Sequence, residues 1–122
     1  MSFKPDNFTV WIELPVTDLD KAISFYNDVF LTSMEKVEMG PNPIAMFPVK
    51  DGGSAGHLYP GKPPVRGTGP TVHLACPDAL EATMERLVGA GGEVVSDPIT
   101  IPVGRFAYCL DPDGNSIGLF SA

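Results

Sequence analysis

The chain has 122 residues, 43% of them hydrophobic and 19% charged, with a formal net charge of −7; that size suits a single domain with one core and excludes two independent ones. No apolar run approaches the roughly 18 residues of a membrane span, and the start MSFKPDNF lacks the basic flank and apolar stretch of a secretory signal, so the expectation is a cytoplasmic protein with no membrane partner. Its few basic residues are scattered through an acidic chain, which argues against nucleic acid, because that recognition rests on Lys and Arg neutralising phosphates.

In chain order, Thr9–Val16 reads as a strand with Ile12, Leu14 and Val16 on one face and Trp11, Glu13 and Pro15 on the other. Thr17 or Asp18 then caps a helix whose apolar stripe is Leu19, Ala22, Ile23, Tyr26 and Phe30. Strands follow at Met34–Met39 and Ile44–Val49, the latter leading into a tight turn at Asp51 and a further strand. Pro60–Pro70 is too rich in Pro and Gly for helix or central strand and reads as a linker. Thr71–Cys76 is the next strand, with Val72, Leu74 and Cys76 alternating against Thr71, His73 and Ala75. Asp78 caps the second helix, Leu80, Met84, Leu87 and Val88 form its stripe, and Gly91-Gly92 stops it. Glu93–Val95, extending towards Ile101, and Phe106–Leu110 complete the strands before a last turn at Asp113. Cys76 and Cys109 form no CxxC and read as free, buried small residues.

The turn Asp51-Gly-Gly-Ser-Ala-Gly56 is echoed by Asp113-Gly-Asn-Ser-Ile-Gly118, each between an apolar run and a final strand. The chain is therefore a repeat of two β-α-β-β-β units, residues 8–60 and 71–122 joined by the linker 60–70. Two pseudo-symmetric βαβββ modules predict an α+β fold in which a curved mixed sheet encloses a cavity and both helices lie on its outer face.

Val16–Tyr26, VTDLDKAISFY, and Gly104–Phe120, GRFAYCLDPDGNSIGLF, resemble the vicinal oxygen chelate superfamily of glyoxalases, bleomycin resistance proteins and dioxygenases. The resemblance spans nearly the whole chain. It implies a cavity between the modules where, in metal-dependent members, the first, fourth, fifth and eighth strands each offer one ligand. The first-strand position, five residues before Val16, is Trp11. The last, four residues after Asp-Pro-Asp-Gly, is Gly118. The internal repeat carries Gly118 onto Gly56 and Trp11 onto Thr71 or Val72. Trp and Gly side chains cannot ligate a metal and Thr does so weakly, so the resemblance implies a site without metal or other cofactor.

Two polar residues share the predicted inner face. Glu13 lies two positions after Trp11, and His73 takes the matching place in the second module. Set across the cavity from each other they would serve as acid and base, or as a pair that fixes a ligand; the competing readings are a Glu13 satisfied by Arg105 or backbone, and a His73 turned into the core by a one-residue slip. Trp11 is either a stacking platform or a space filler. Gly56 and Gly118 either leave room in the cavity or allow close strand approach, and alternation places His57 opposite to Gly56, on the surface or towards the helices. These readings lead to a metal-independent protein that binds a small organic molecule in a cavity of Trp11, Glu13, Gly56, His73 and Gly118. The alternative is a metal-dependent lyase or isomerase of the lactoylglutathione lyase type. Whether the chain is an enzyme is left open, and because the resembling proteins are commonly homodimers, a homodimer is expected.

Overall fold

The computed structural model describes residues 1–122, the side chain of Met39 excepted. The first half runs β1 (Ile12–Val16), α1 (Leu19–Phe30), β2 (Lys36–Met39), β3 (Asn42–Met46) and β4 (Gly56–Pro60). The second runs β5 (Val72–Ala75), α2 (Leu80–Gly89), β6 (Glu93–Val94), β7 (Ile99–Ile101), β8 (Gly104–Leu110) and β9 (Ser116–Ser121). Each half forms one mixed sheet, ordered β1-β4-β3-β2 and β5-β9-β8-β6, with β7 also on β8. The fold is α+β, with two curved sheets that do not close. Among the described residues no helix is long and apolar enough to cross a membrane.

Three local expectations are corrected. The first strand begins at Ile12 rather than Thr9, because its first ladder bond is Ile12 N–H to the Ala55 carbonyl at 3.1 Å. The strand expected across residues 93–101 is interrupted: Val95 N–H still reaches the Tyr108 carbonyl at 2.9 Å, but Tyr108 N–H then donates to the Ser96 hydroxyl at 2.9 Å, and pairing with β8 resumes at Ile99. Asp78 does not cap α2. Ala79 holds that place without a side-chain cap, while the Asp78 carboxylate accepts from the buried Thr83 hydroxyl at 2.9 Å and from Arg86 at 2.7 and 2.9 Å. Arg86 holds the Asp78 carboxyl below its usual range and also donates to the Val29 carbonyl at the end of α1 at 3.0 Å, so this cluster ties the two helices together.

Asp18 does cap α1, accepting from Lys21 N–H at 3.1 Å. Leu31 ends that helix in the left-handed region at φ 52°, its N–H on the Asn27 carbonyl. Leu19, Ala22, Phe25, Tyr26 and Val29 are buried, packed with Leu14, Val16 and Leu58 of the first sheet and with Leu87, Ile117 and Leu119 of the second half. Cys109 lies in the same core as a free thiol, where burial pushes its pKa up to about 11.

The halves are joined by a buried polar clamp. Asp111, only 1% exposed, accepts on one oxygen from the backbone N–H of Asp113 at 3.0 Å and Asn115 at 2.9 Å. Its other oxygen accepts from the Tyr26 hydroxyl at 2.8 Å and the Asn115 amide at 3.0 Å. That amide donates also to the Pro15 carbonyl at 2.8 Å, and the Thr17 hydroxyl donates to Asp113 at 2.6 Å. A buried carboxylate with four donors is strongly held, and removing it strands each of them.

Burial and the neighbouring Asp111 raise the Tyr26 phenol well above its ordinary value. A raised acid contributes stability that is complete below the unfolded pKa, near 10 for tyrosine, and is lost as pH rises towards the folded one. Stability should therefore begin to decline once the pH exceeds about 10. In urea denaturation Tyr26→Phe is expected to cost about 1 kcal/mol and Asp111→Ala about 3 kcal/mol; an Asp111→Ala cost no larger than that of Tyr26→Phe would show that the clamp does not hold the halves. At pH 8, Ellman's reagent should label Cys109 only after unfolding.

Candidate functional site

The register of the parallel β1–β4 pair decides which side chains share a face. Ile12 lies opposite Gly56 and Glu13 opposite His57. Gly56 therefore sits on the helix-facing side, buried, where a methyl group would meet the Ile12 carbonyl and side chain. His57 sits on the open face. Its Nδ1 accepts from the Trp11 indole N–H at 3.0 Å, and its Nε2 is 3.2 Å from the Glu13 carboxylate. The His57 side chain is 12% exposed, against 65% for Glu13, so the imidazole is enclosed between two better-exposed neighbours.

This corrects the expectations for Gly56 and His57. In the second half β5 and β9 pair His73 with Gly118, so the residue equivalent to Gly118 is His57, the partner of Glu13, and not Gly56. The turn echo misleads because His57 lies six residues after Asp51 whereas Gly118 lies five after Asp113. One extra residue between turn and strand shifts the face.

The pairing expected for Glu13 is corrected too. Its partner is His57 and not His73. His73 is exposed and lies edge-on to Phe106 at 5.1 Å between ring centroids, with Tyr108 at 5.9 Å. A methyl group at Gly118 would meet the His73 ring. Arg105 pairs with Glu81 on α2 at 2.6 Å and does not approach Glu13.

A cleft of about 800 Å³ opens between the start of β1 and the whole of β5. Trp11, Ile12, Phe30, Phe47, Val72 and His73 are among its walls, and none of its described lining residues is Asp, Glu, Lys or Arg. Trp11 and His73 line it; Glu13, Gly56, His57 and Gly118 do not. Phe30 was not anticipated as a wall, because helical spacing marks it as core, and Phe47 was left open between cavity and core because the register of its strand is not fixed by its own residues.

A model of the glyoxalase/bleomycin resistance protein/dioxygenase superfamily matches residues 9–119. The chain belongs to that superfamily. It is 34% identical over 108 residues to proteins of Mycobacterium bovis and Mycobacterium tuberculosis that bear the name glyoxylase CFP32 as a provisional one. That match takes in 86% of this chain but 40% of theirs. Among solved structures it is similar to a glyoxalase/bleomycin resistance protein of Albidiferax ferrireducens, with TM-score 0.72, 18% identity and coverage of 95% of this chain and 99% of that one. It is also similar to one from a Streptomyces species, with TM-score 0.61, 29% identity and coverage of 90% and 96%.

With the observed register, the four ligand positions implied by the superfamily resemblance are Trp11, His57, Thr71 and Gly118. Of these only His57 is of a type that commonly binds divalent metal, and both its ring nitrogens already face partners. Among the described residues no three His, Cys, Asp or Glu side chains form a group that could hold a metal ion. The donor set does not fit the metal centre of the metal-dependent superfamily members.

The facing of the two glycines is open to test. Gly56→Ala should destabilise by about 2 kcal/mol, since the obstacle includes backbone. Gly118→Ala should cost less than about 1 kcal/mol, because an exposed imidazole can swing aside, and should move the His73 ring resonances in NMR spectra. The reverse order of costs would contradict the register.

Proposed function

We propose that this chain is a metal-independent member of the glyoxalase superfamily that binds a small organic molecule in the cleft between β1 and β5. One observation carries the reading: a cleft of about 800 Å³ without a charged side chain in its described lining, with a half-exposed indole at its rim. Small-molecule sites are typically of this size, mostly apolar and set with few polar groups. The Trp11 indole is oriented by its bond to His57, which suits it to stack on a flat ligand. Self-association belongs to the same reading, supported by the exposed Phe3, Phe8 and Val10 beside β1; sedimentation velocity should show a homodimer.

Trp11 is the sole tryptophan, so its fluorescence reports on the cleft. Titration with 1-naphthol in the presence of EDTA should quench it saturably, with one site per chain and micromolar affinity. Trp11→Ala should weaken binding, measured by calorimetry, about tenfold. No saturable binding by either method would remove the reading.

A second reading is favoured by the mycobacterial proteins named as glyoxylases: a metal-assisted lyase or isomerase. Metal analysis of the purified protein separates the two. Content well below one ion per chain, unchanged after incubation with nickel or zinc and gel filtration, is expected; one tightly bound ion per chain would favour the lyase.

A further inference from the structure

We infer that the ligand class of this cleft is an uncharged, extended molecule bearing backbone-like amides, in its simplest form a short hydrophobic peptide added as a strand between β1 and β5. The inference rests on the binding role just proposed and goes further by naming the chemistry of the occupant.

Hydrogen-bond parity decides which backbone groups of each strand are left for a ligand. In a parallel ladder a residue turns both its N–H and its C=O to the same side, and the next residue turns both to the other. On β1 the Ile12 N–H donates to Ala55 at 3.1 Å and the Val16 carbonyl accepts from Gly61 at 3.0 Å, so Ile12, Leu14 and Val16 direct their backbone groups to β4. Glu13 and Pro15 therefore direct theirs to the open edge. The Pro15 carbonyl is reached there by the Asn115 amide at 2.8 Å. On β5 the Cys76 N–H donates to Phe120 at 2.8 Å, so His73 and Ala75 direct their backbone groups away from β9. Both β1 and β5 are terminal strands of their sheets, and the cleft lies between them.

On the β1 side the Trp11 carbonyl, which shares a planar peptide with the Ile12 N–H and points opposite to it, faces the cleft, and on the β5 side His73 and Ala75 offer donors and acceptors, while the described lining side chains are uncharged and mostly apolar. A ligand without amides would strip water from these groups without replacing it, at a cost for each group left unpaired. A charged ligand would meet no Asp, Glu, Lys or Arg among the described lining side chains. An extended peptide supplies donors and acceptors at the strand repeat and turns alternate side chains to the two faces. Pro15, which has no N–H, ends the receptive edge at the end of β1 that the clamp already occupies.

The test uses the intact protein and three probes: a pool of acetylated, amidated heptapeptides alternating Val or Phe with Thr, the same pool N-methylated at every second residue, and 1-naphthol. The inference expects micromolar binding of the peptides, about tenfold or greater weakening on N-methylation, and a similar weakening in Ala75→Pro. That variant deletes one edge donor at an exposed strand position where Pro is tolerated, and although Ala75 also lines the cleft, it should weaken the peptides by more than it weakens 1-naphthol, which has no amide to pair with that donor. Binding of 1-naphthol without the peptides, or equal binding of both peptide pools, would overturn the inference while leaving the binding role intact. Binding of none would overturn both. A dimer that Ala75→Pro converts to monomer would show that a second copy fills the edges, and would also overturn it.

Discussion

Four donors converge on the carboxylate of Asp111, and through Asn115 and Asp113 the same turn grips Pro15 and Thr17 at the end of β1. A carboxylate this deeply buried is tolerated only because every neighbour serves it. Its structural consequence is positional. The halves are held together where β1 ends, with α1 packed on α2 behind, and the cleft lies at the other end, beside Trp11 and Ile12. The space in which a ligand would sit is thus a product of where the clamp closes.

The rim of that space is organised by one imidazole. An Nδ1 that accepts from Trp11 carries no proton, which leaves the proton on Nε2, facing Glu13. The chain Trp11–His57–Glu13 fixes the indole with a polar relay running from its edge to solvent. The same bonds engage the imidazole that a metal would otherwise recruit, so orienting the aromatic platform and holding a metal are alternative uses of His57.

Much of this was legible in the sequence, and the gaps share a cause. Strand alternation and helical spacing identify α1, the buried Leu14 and Val16 side of β1 and the repeat, because burial acts on single side chains with periods of 2 and 3.6. Register is different: it is a relation between strands, and the one extra residue before His57 moves that side chain to the face assigned to Gly56. Asp78 was misplaced for a similar reason, since the capping rule is local while Thr83 and Arg86 act from one and two turns further along. The interruption at Ser96 depends on a side chain taking over a backbone ladder bond. Strand alternation points to the open faces of the modules, whereas the cleft opens between their edges, and no residue pattern marks an edge strand as unpaired.

The central claim is that two open strand edges and an oriented indole form a binding cleft that works without metal. Its most direct measurement is a ¹H–¹⁵N correlation spectrum recorded in EDTA during titration with 1-naphthol. The account predicts saturable shifts of the Trp11 indole and of the backbone amides of Ile12, Thr71, His73 and Ala75, with little change on the outer face of α2. Shifts confined to that outer face, or appearing only after a divalent metal is added, would contradict it.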